Sequence, residues 1–198
     1  MTTFLERENA MSDLKYVYND GGRELAGWVS GEGVGDCVTR SMVIASSYPH
    51  KPDGRHYENM REVLMSRTKE FRKKSRSRAA KSRRTNSVRN GTLREVYQPL
   101  LKRLGWEKES RIQFGSSERS YMTTDDLPRG VVIVSLRNHL VTVIDHVVQD
   151  TWDCRTTLRW EDGVPTDEKI PACVVAVFKS GLTADPAWAS EVVRAELA

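Results

Sequence analysis

Cysteine, long apolar runs and, over one stretch, acidic side chains are scarce in this sequence, and each scarcity narrows what the chain can be. Three cysteines, Cys37, Cys154 and Cys173, form no CxxC pair and are odd in number. That argues against a disulfide framework and a thiolate zinc site, and for a reducing compartment in which a thiol stays available. No apolar run reaches the length a bilayer crossing needs. The opening MTTFLERENAMSDLKYV carries acids early and lacks the apolar centre of a secretory signal, so a cytoplasmic location is expected. Internal repeats are missing as well, which excludes a solenoid.

The third scarcity is local. Residues 66–90 hold 11 Lys or Arg against the single acid Glu70, leaving 20 basic and 26 acidic residues in the rest of the chain. A basic segment is thus set into an acidic body. Arg72, Lys73, Lys74, Arg76, Arg78, Lys81, Arg83 and Arg84 are its candidate contacts to nucleic acid or an acidic protein. Phe71 is the only aromatic there, so stacking on single-stranded bases has little support, and a flexible solvated loop is the plainer expectation.

At 198 residues the chain suits one domain with room for a core. CVTRSMVIASS spaces Val38, Met42 and Ala45 for a buried helix, with Asp36 as its N-cap and Cys37 in the first turn. The glycines of GWVSGEGVGD precede it. A second helix is expected over about Tyr57 to Phe71, and a third over about Thr92 to Leu104, closed by Gly105. From Leu127 the period changes to two, giving strands at 131–136, 140–144, 147–152 and 172–178 and a short closing helix in WASEVVRAELA. Helices first and an antiparallel meander afterwards make an α+β architecture.

One ribbon carries the chemistry. If Asp145 and His146 form a two-residue turn, Val143 faces Val148 and His139 faces Trp152. His139 and Asp150 then become diagonal neighbours, ~7 to 8 Å apart at Cα, so the carboxylate can orient the imidazole. A nucleophile completes the set. Cys37 suits it because orphan amides and the helix dipole favour thiolate, and its own amide can face a developing oxyanion. Taken singly, each of these residues has a plain structural reading. Cys154 and Cys173 are read as structural, Trp106, Trp152 and Trp160 as core, and His50, His56 and His146 as solvated.

Cys at a helix start, His opening a strand and Asp on the next strand resemble the papain-like cysteine peptidase superfamily. More closely, GDCVTRSMVIAS, RNG at 89–91, LGW at 104–106, HLVTVID and DTWDC are similar to short bacteriophage and bacterial proteins assigned to that fold. The resemblance implies a single papain-like domain with helices packed on a C-terminal antiparallel sheet, in which the basic, flexible segment at about 66–90 is an insertion. The histidines and cysteines show no metal-ligand spacing, and no cofactor or metal is expected. It assigns Cys37 as nucleophile, His139 as base and Asp150 as orienting acid. The expected activity is thiol-dependent hydrolysis of a peptide, isopeptide or other amide in the cytoplasm, that of a host cell if the chain is viral. Where papain carries an oxyanion glutamine this chain has none, so Ser30 or a backbone amide joins Cys37 as candidate donor. An aspartate third member also occurs in transglutaminase-like and arylamine acetyltransferase-like relatives, which leaves acyl transfer and deamidation open. A non-enzymatic protein that binds nucleic acid or a partner through 66–90 is the alternative.

Overall fold

The computed structural model describes residues 12–28, 35–82, 86–89, 91–112, 119–161, 164–180 and 195. Ser30, Arg83, Arg84, the side chain of Trp160 and, Ala195 apart, the C-terminal helix expected at 188–198 lie outside the described residues. The chain is a mixed α+β fold. In chain order it runs β1 (Lys15–Tyr18), α1 (Cys37–Ser47), α2 (Gly54–Lys74), α3 (Arg78–Ser82), α4 (Arg94–Arg103), β2 (Trp106–Ser110) and β3 (Ser120–Tyr121). Then follow β4 (Val131–Ser135), β5 (Leu140–Ile144), β6 (Val147–Asp150), β7 (Thr156–Glu161), β8 (Val164–Pro171), β9 (Cys173–Val174) and β10 (Ala176–Ser180).

Six strands form one sheet in the order β1-β6-β5-β4-β10-β2. The β10-β4-β5-β6 part is antiparallel, as the meander requires, but β1 runs parallel to β6. The sheet is therefore mixed, and the N-terminal lead-in, which showed no period, supplies an edge strand. Expected strand 172–178 is split at Val175 into β9 and β10, with β9 leaving the main sheet to pair with β3. β7 and β8 form a separate ribbon, which the polar sequences TTLRWE and VPTDEKIP did not signal.

Both faces of the sheet are covered, which explains the nearly continuous apolar strands. Ile133, Leu140, Ala176 and Phe178 pack with α1, α2 and α4 through Met42, Leu64, Leu100 and Leu101. Val132, Val134, Val141, Val143, Val148 and Val177 join Leu14, Met122, Leu127 and Cys154 in a second cluster. α1 is buried over nearly its whole length, so its stripe is broader than an amphipathic helix shows.

α2 extends beyond the expected 57–71 at both ends. At its start Asp53 accepts from the His56 amide at 2.8 Å while His56 Nδ1 accepts from Asp53 N, a reciprocal cap. At its end it runs into the basic segment as far as Lys74, and α3 follows. Within that segment Thr68, Ala80 and Val88 are buried and Arg72 donates to Asn86 at 2.6 Å. The basic segment thus has more to bury than its sequence suggested. α4 buries Val96, Tyr97, Leu100 and Leu101, and Gly105 takes a left-handed φ of 75° just past it.

Candidate active site

The turn chemistry sets the ribbon. Asp145 and His146 both have positive φ, 47° and 66°, the geometry that lets two residues join twisted antiparallel strands. Neither is glycine, and each is held. Asp145 Oδ1 accepts from the Gly130 amide at 2.9 Å, and His146 Nε2 donates to the Leu127 carbonyl at 2.9 Å. His146 is half-buried and bonded rather than solvated. The register pairs Val143 with Val148 and Thr142 with Gln149, as a turn at 145–146 requires.

At the open end of this ribbon His139 Nε2 bonds Asp150 Oδ2. The ring of Trp152 lies 5.1 Å from the imidazole at 49°. Trp152 is 51% exposed, so it is a cover over His139 and not the core residue expected. The turn before β5 closes on the Leu136 amide, which donates to the His139 carbonyl at 2.9 Å.

α1 is fastened to β5 by two reciprocal bonds. Ser41 Oγ donates to the Leu140 carbonyl at 2.6 Å, and Thr142 Oγ1 donates to the Ser41 carbonyl at 2.7 Å. These satisfied buried hydroxyls lock the helix that begins with Cys37 to the strand that begins after His139. Burial pushes the Cys37 thiol up, but hydrogen bonding to His139 and its charge, the Leu140 amide and the charge of Arg40 carry it below its ordinary value. Burial also opposes charge on His139, yet its bonds to Asp150, Cys154 and Cys37 raise it to about 11. The pair therefore favours thiolate and imidazolium together.

Asp36 is the N-cap residue of α1, as expected, but its side chain makes no capping bond. Its carboxylate is taken instead by three partners. Arg40 Nε donates at 2.9 Å, Tyr57 Oη from α2 at 2.8 Å, and Arg23 Nη1 at 3.3 Å. The first bond of the helix runs from the Arg40 amide to the Asp36 carbonyl. Among the described residues the amides of Cys37, Val38 and Thr39 have no acceptor, which leaves donors at the end of the helix where a negative oxygen is favoured.

Besides Trp152, Arg23 and Tyr57, sequence reasoning did not place Arg40 and Cys154 at the site. Arg40 Nη1 donates to Asp150 Oδ1 at 2.5 Å, so the orienting carboxylate is shared between an imidazole and a guanidinium. Its sequence signal was a lone charge within an apolar helix, one turn after Cys37. Cys154 is buried, as a structural thiol should be, yet its sulfur, a nitrogen of His139 and an oxygen of Asp150 lie within 4.8 Å of one another. Burial and the Asp150 charge outweigh the bond to His139 and push the Cys154 thiol up. The two cysteines meet one imidazole and are driven in opposite directions. These donors suit a soft cation by type, but the guanidinium already on Asp150 adds like-charge repulsion to any such ion. Cys173 pairs with Tyr121 in the small β3–β9 ribbon, and burial raises its thiol also.

No helix among the described residues is long and apolar enough to cross a membrane. The chain matches no protein-family model, no curated protein and no solved structure.

Proposed function

We propose that the chain is a thiol-dependent hydrolase of papain-like fold that cleaves an amide bond of a peptide or isopeptide through Cys37, His139 and Asp150. The observation that carries this reading is the depressed Cys37 thiol at the start of α1, beside an imidazole whose other partner is a buried carboxylate. Cys37 Sγ attacks the substrate carbonyl carbon, and the oxygen takes the negative charge. The Cys37 amide and its uncapped neighbours at the head of α1 receive it. His139 gives its proton to the leaving nitrogen as the C–N bond breaks, leaving a thioester on Cys37. Water then attacks the thioester, His139 accepts a proton from it, and the acid product departs as the thiolate is restored. Asp150 holds Nε2, which fixes the tautomer and leaves Nδ1 for proton exchange with sulfur. With an amine in place of water the same site would perform acyl transfer.

Iodoacetamide labelling at pH 6, read by peptide mass, tests the reading. Cys37 should react faster than Cys154 and Cys173, both of which are held as neutral thiols. Equal rates at the three positions would remove the activation on which the mechanism depends.

A second reading concerns the basic segment. Lys69, Lys73, Arg76, Arg78 and Lys81 are exposed along the end of α2 and α3, while Lys74 is engaged by Glu70 at 2.6 Å. A ridge of this sign fits the phosphates of a nucleic acid. Duplex DNA binding that weakens steeply with salt, survives Cys37→Ala and is lost when these five residues become Gln is the expected outcome. Binding that ignores the five substitutions would end this reading.

A further inference from the structure

We propose that Arg40 is a positioning residue of the site, whose guanidinium bridges the carboxylates of Asp36 and Asp150 and so couples the helix bearing Cys37 to the ribbon bearing His139. The proposal rests on the thiol-hydrolase reading above, and adds to it a member that acts through Asp150 rather than on substrate.

The geometry is that of a fork between two acids. Arg40 Nε meets Asp36 Oδ1 at 2.9 Å and Nη1 meets Asp150 Oδ1 at 2.5 Å, with all three side chains 4% exposed or less. Asp36 immediately precedes Cys37, and Asp150 Oδ2 holds His139. A single planar group therefore spans the 110 positions that separate the nucleophile's helix from the acid's strand. Asp36 carries Arg23 and Tyr57 on its remaining lone pairs, and Asp150 Oδ1 also accepts from the Thr151 amide at 2.7 Å. The charged and titratable groups facing Arg40 are thus Asp36 on its own element and Asp150 from β6, backed by Arg23, Tyr57, His139 and Cys37. The turn before α1 closes over it. A Cβ on Gly21 would come within 3.1 Å of Arg40 Cα and its carbonyl oxygen.

Two consequences follow for the chemistry. With Oδ1 fixed by Arg40, rotation of the Asp150 carboxylate away from Nε2 is blocked, so the imidazole keeps one tautomer and one aim. With Asp36 drawn toward Arg40, Arg23 and Tyr57, its side chain is kept off the first amides of α1, where it would otherwise cap the helix. Those amides stay available to the substrate oxygen. A lysine has the charge but a single nitrogen, and cannot hold two carboxylates in a planar fork. The substitution Arg40→Lys therefore separates geometry from charge.

The test is the pH profile of Cys37 alkylation by iodoacetamide in the wild type and in Arg40→Lys, with circular dichroism as the check on folding. Loss of the fork should move the midpoint of the profile up by about one pH unit, and so slow alkylation at pH 6 about tenfold, since thiolate below its pKa falls tenfold per unit. A folded Arg40→Lys with the wild-type midpoint, even at a reduced melting temperature, overturns the proposal and leaves Arg40 a structural ion. The underlying reading fails in a different place, when wild-type Cys37 itself reacts no faster than Cys173. Should Arg40→Lys not fold, the wild-type Arg40 Nε–H resonance in a nitrogen-15 spectrum decides the matter. It should titrate with the midpoint of Cys37 alkylation, and a resonance indifferent to that midpoint overturns the proposal.

Discussion

Two highly charged regions of this protein solve opposite problems. Around the site, Arg23, Asp36, Arg40 and Asp150 are 3% exposed or less and alternate in sign through a continuous set of bonds. From Ser66 at the end of α2 through α3, Lys69, Lys73, Arg76, Arg78 and Lys81 stand in water with Glu70 as the one acid of that stretch. Charge removed from water must find its counterpart at hydrogen-bond distance, because desolvation costs several kcal/mol per ion, whereas exposed charge is screened and nearly free to vary. The same residue type, arginine, sets geometry in one region and surface potential in the other.

The sharpest way to break the contrast is Arg40→Met, which leaves Asp36 and Asp150 buried with one cation fewer. A loss of about 3–5 kcal/mol in urea-induced unfolding is expected, the range for removing one partner of a buried ion pair. A loss below about 1 kcal/mol would place Arg40 with the surface arginines instead.

The pH dependence of stability should show the same buried set. Asp150 opposes its burial through His139 and Arg40, and its pKa is lowered, so its contribution is present above its ordinary value near 3.8 and disappears as pH falls through the lowered one. His139, raised to about 11, contributes in full below about pH 6.5 and loses that contribution progressively up to about 11. Cys37, lowered, works in the other sense and gains until its ordinary value of 9.0. Net alkaline loss should therefore be steepest between about pH 9 and 11, read from urea midpoints across the range. A flat profile over those two units would contradict the thiolate–imidazolium pair.

Trp152→Ala sharpens the boundary between the regions, because this ring is half in water and half over His139. A loss of about 1 kcal/mol is expected from its partial burial and ring contact, together with slower Cys37 alkylation at pH 6 as water reaches the His139–Asp150 bond. The smallest effect belongs to the surface. Changing Lys69, Lys73, Arg76, Arg78 or Lys81 singly to Gln should leave stability within about 0.5 kcal/mol, and any larger drop would show that the ridge is structural.

Legibility differed for physical reasons that particular residues make clear. α1 and α4 could be read from apolar spacing, and β5 lies where LVTVI predicts it, because a packed face must repeat with the period of its backbone. β1 could not be read from KYVY, since an edge strand of four residues with one half-buried position has no face to advertise. The β7–β8 ribbon was hidden for the same reason. Asp36 stands at the N-cap of α1 where its position put it, but Arg23, Tyr57 and Arg40, which no local pattern reveals, draw its carboxylate away from the first amides.

By itself the sequence determined the ribbon. The period of two and a turn at Asp145 and His146 are local, so His139 had to meet Asp150 once the strands paired. Tertiary structure alone decided that Cys154 touches the same imidazole as Cys37 yet is held as a thiol, and that Arg40 divides its guanidinium between two acids far apart in the chain. Such assignments depend on which charges the packing seals from water together, and no local period carries that information.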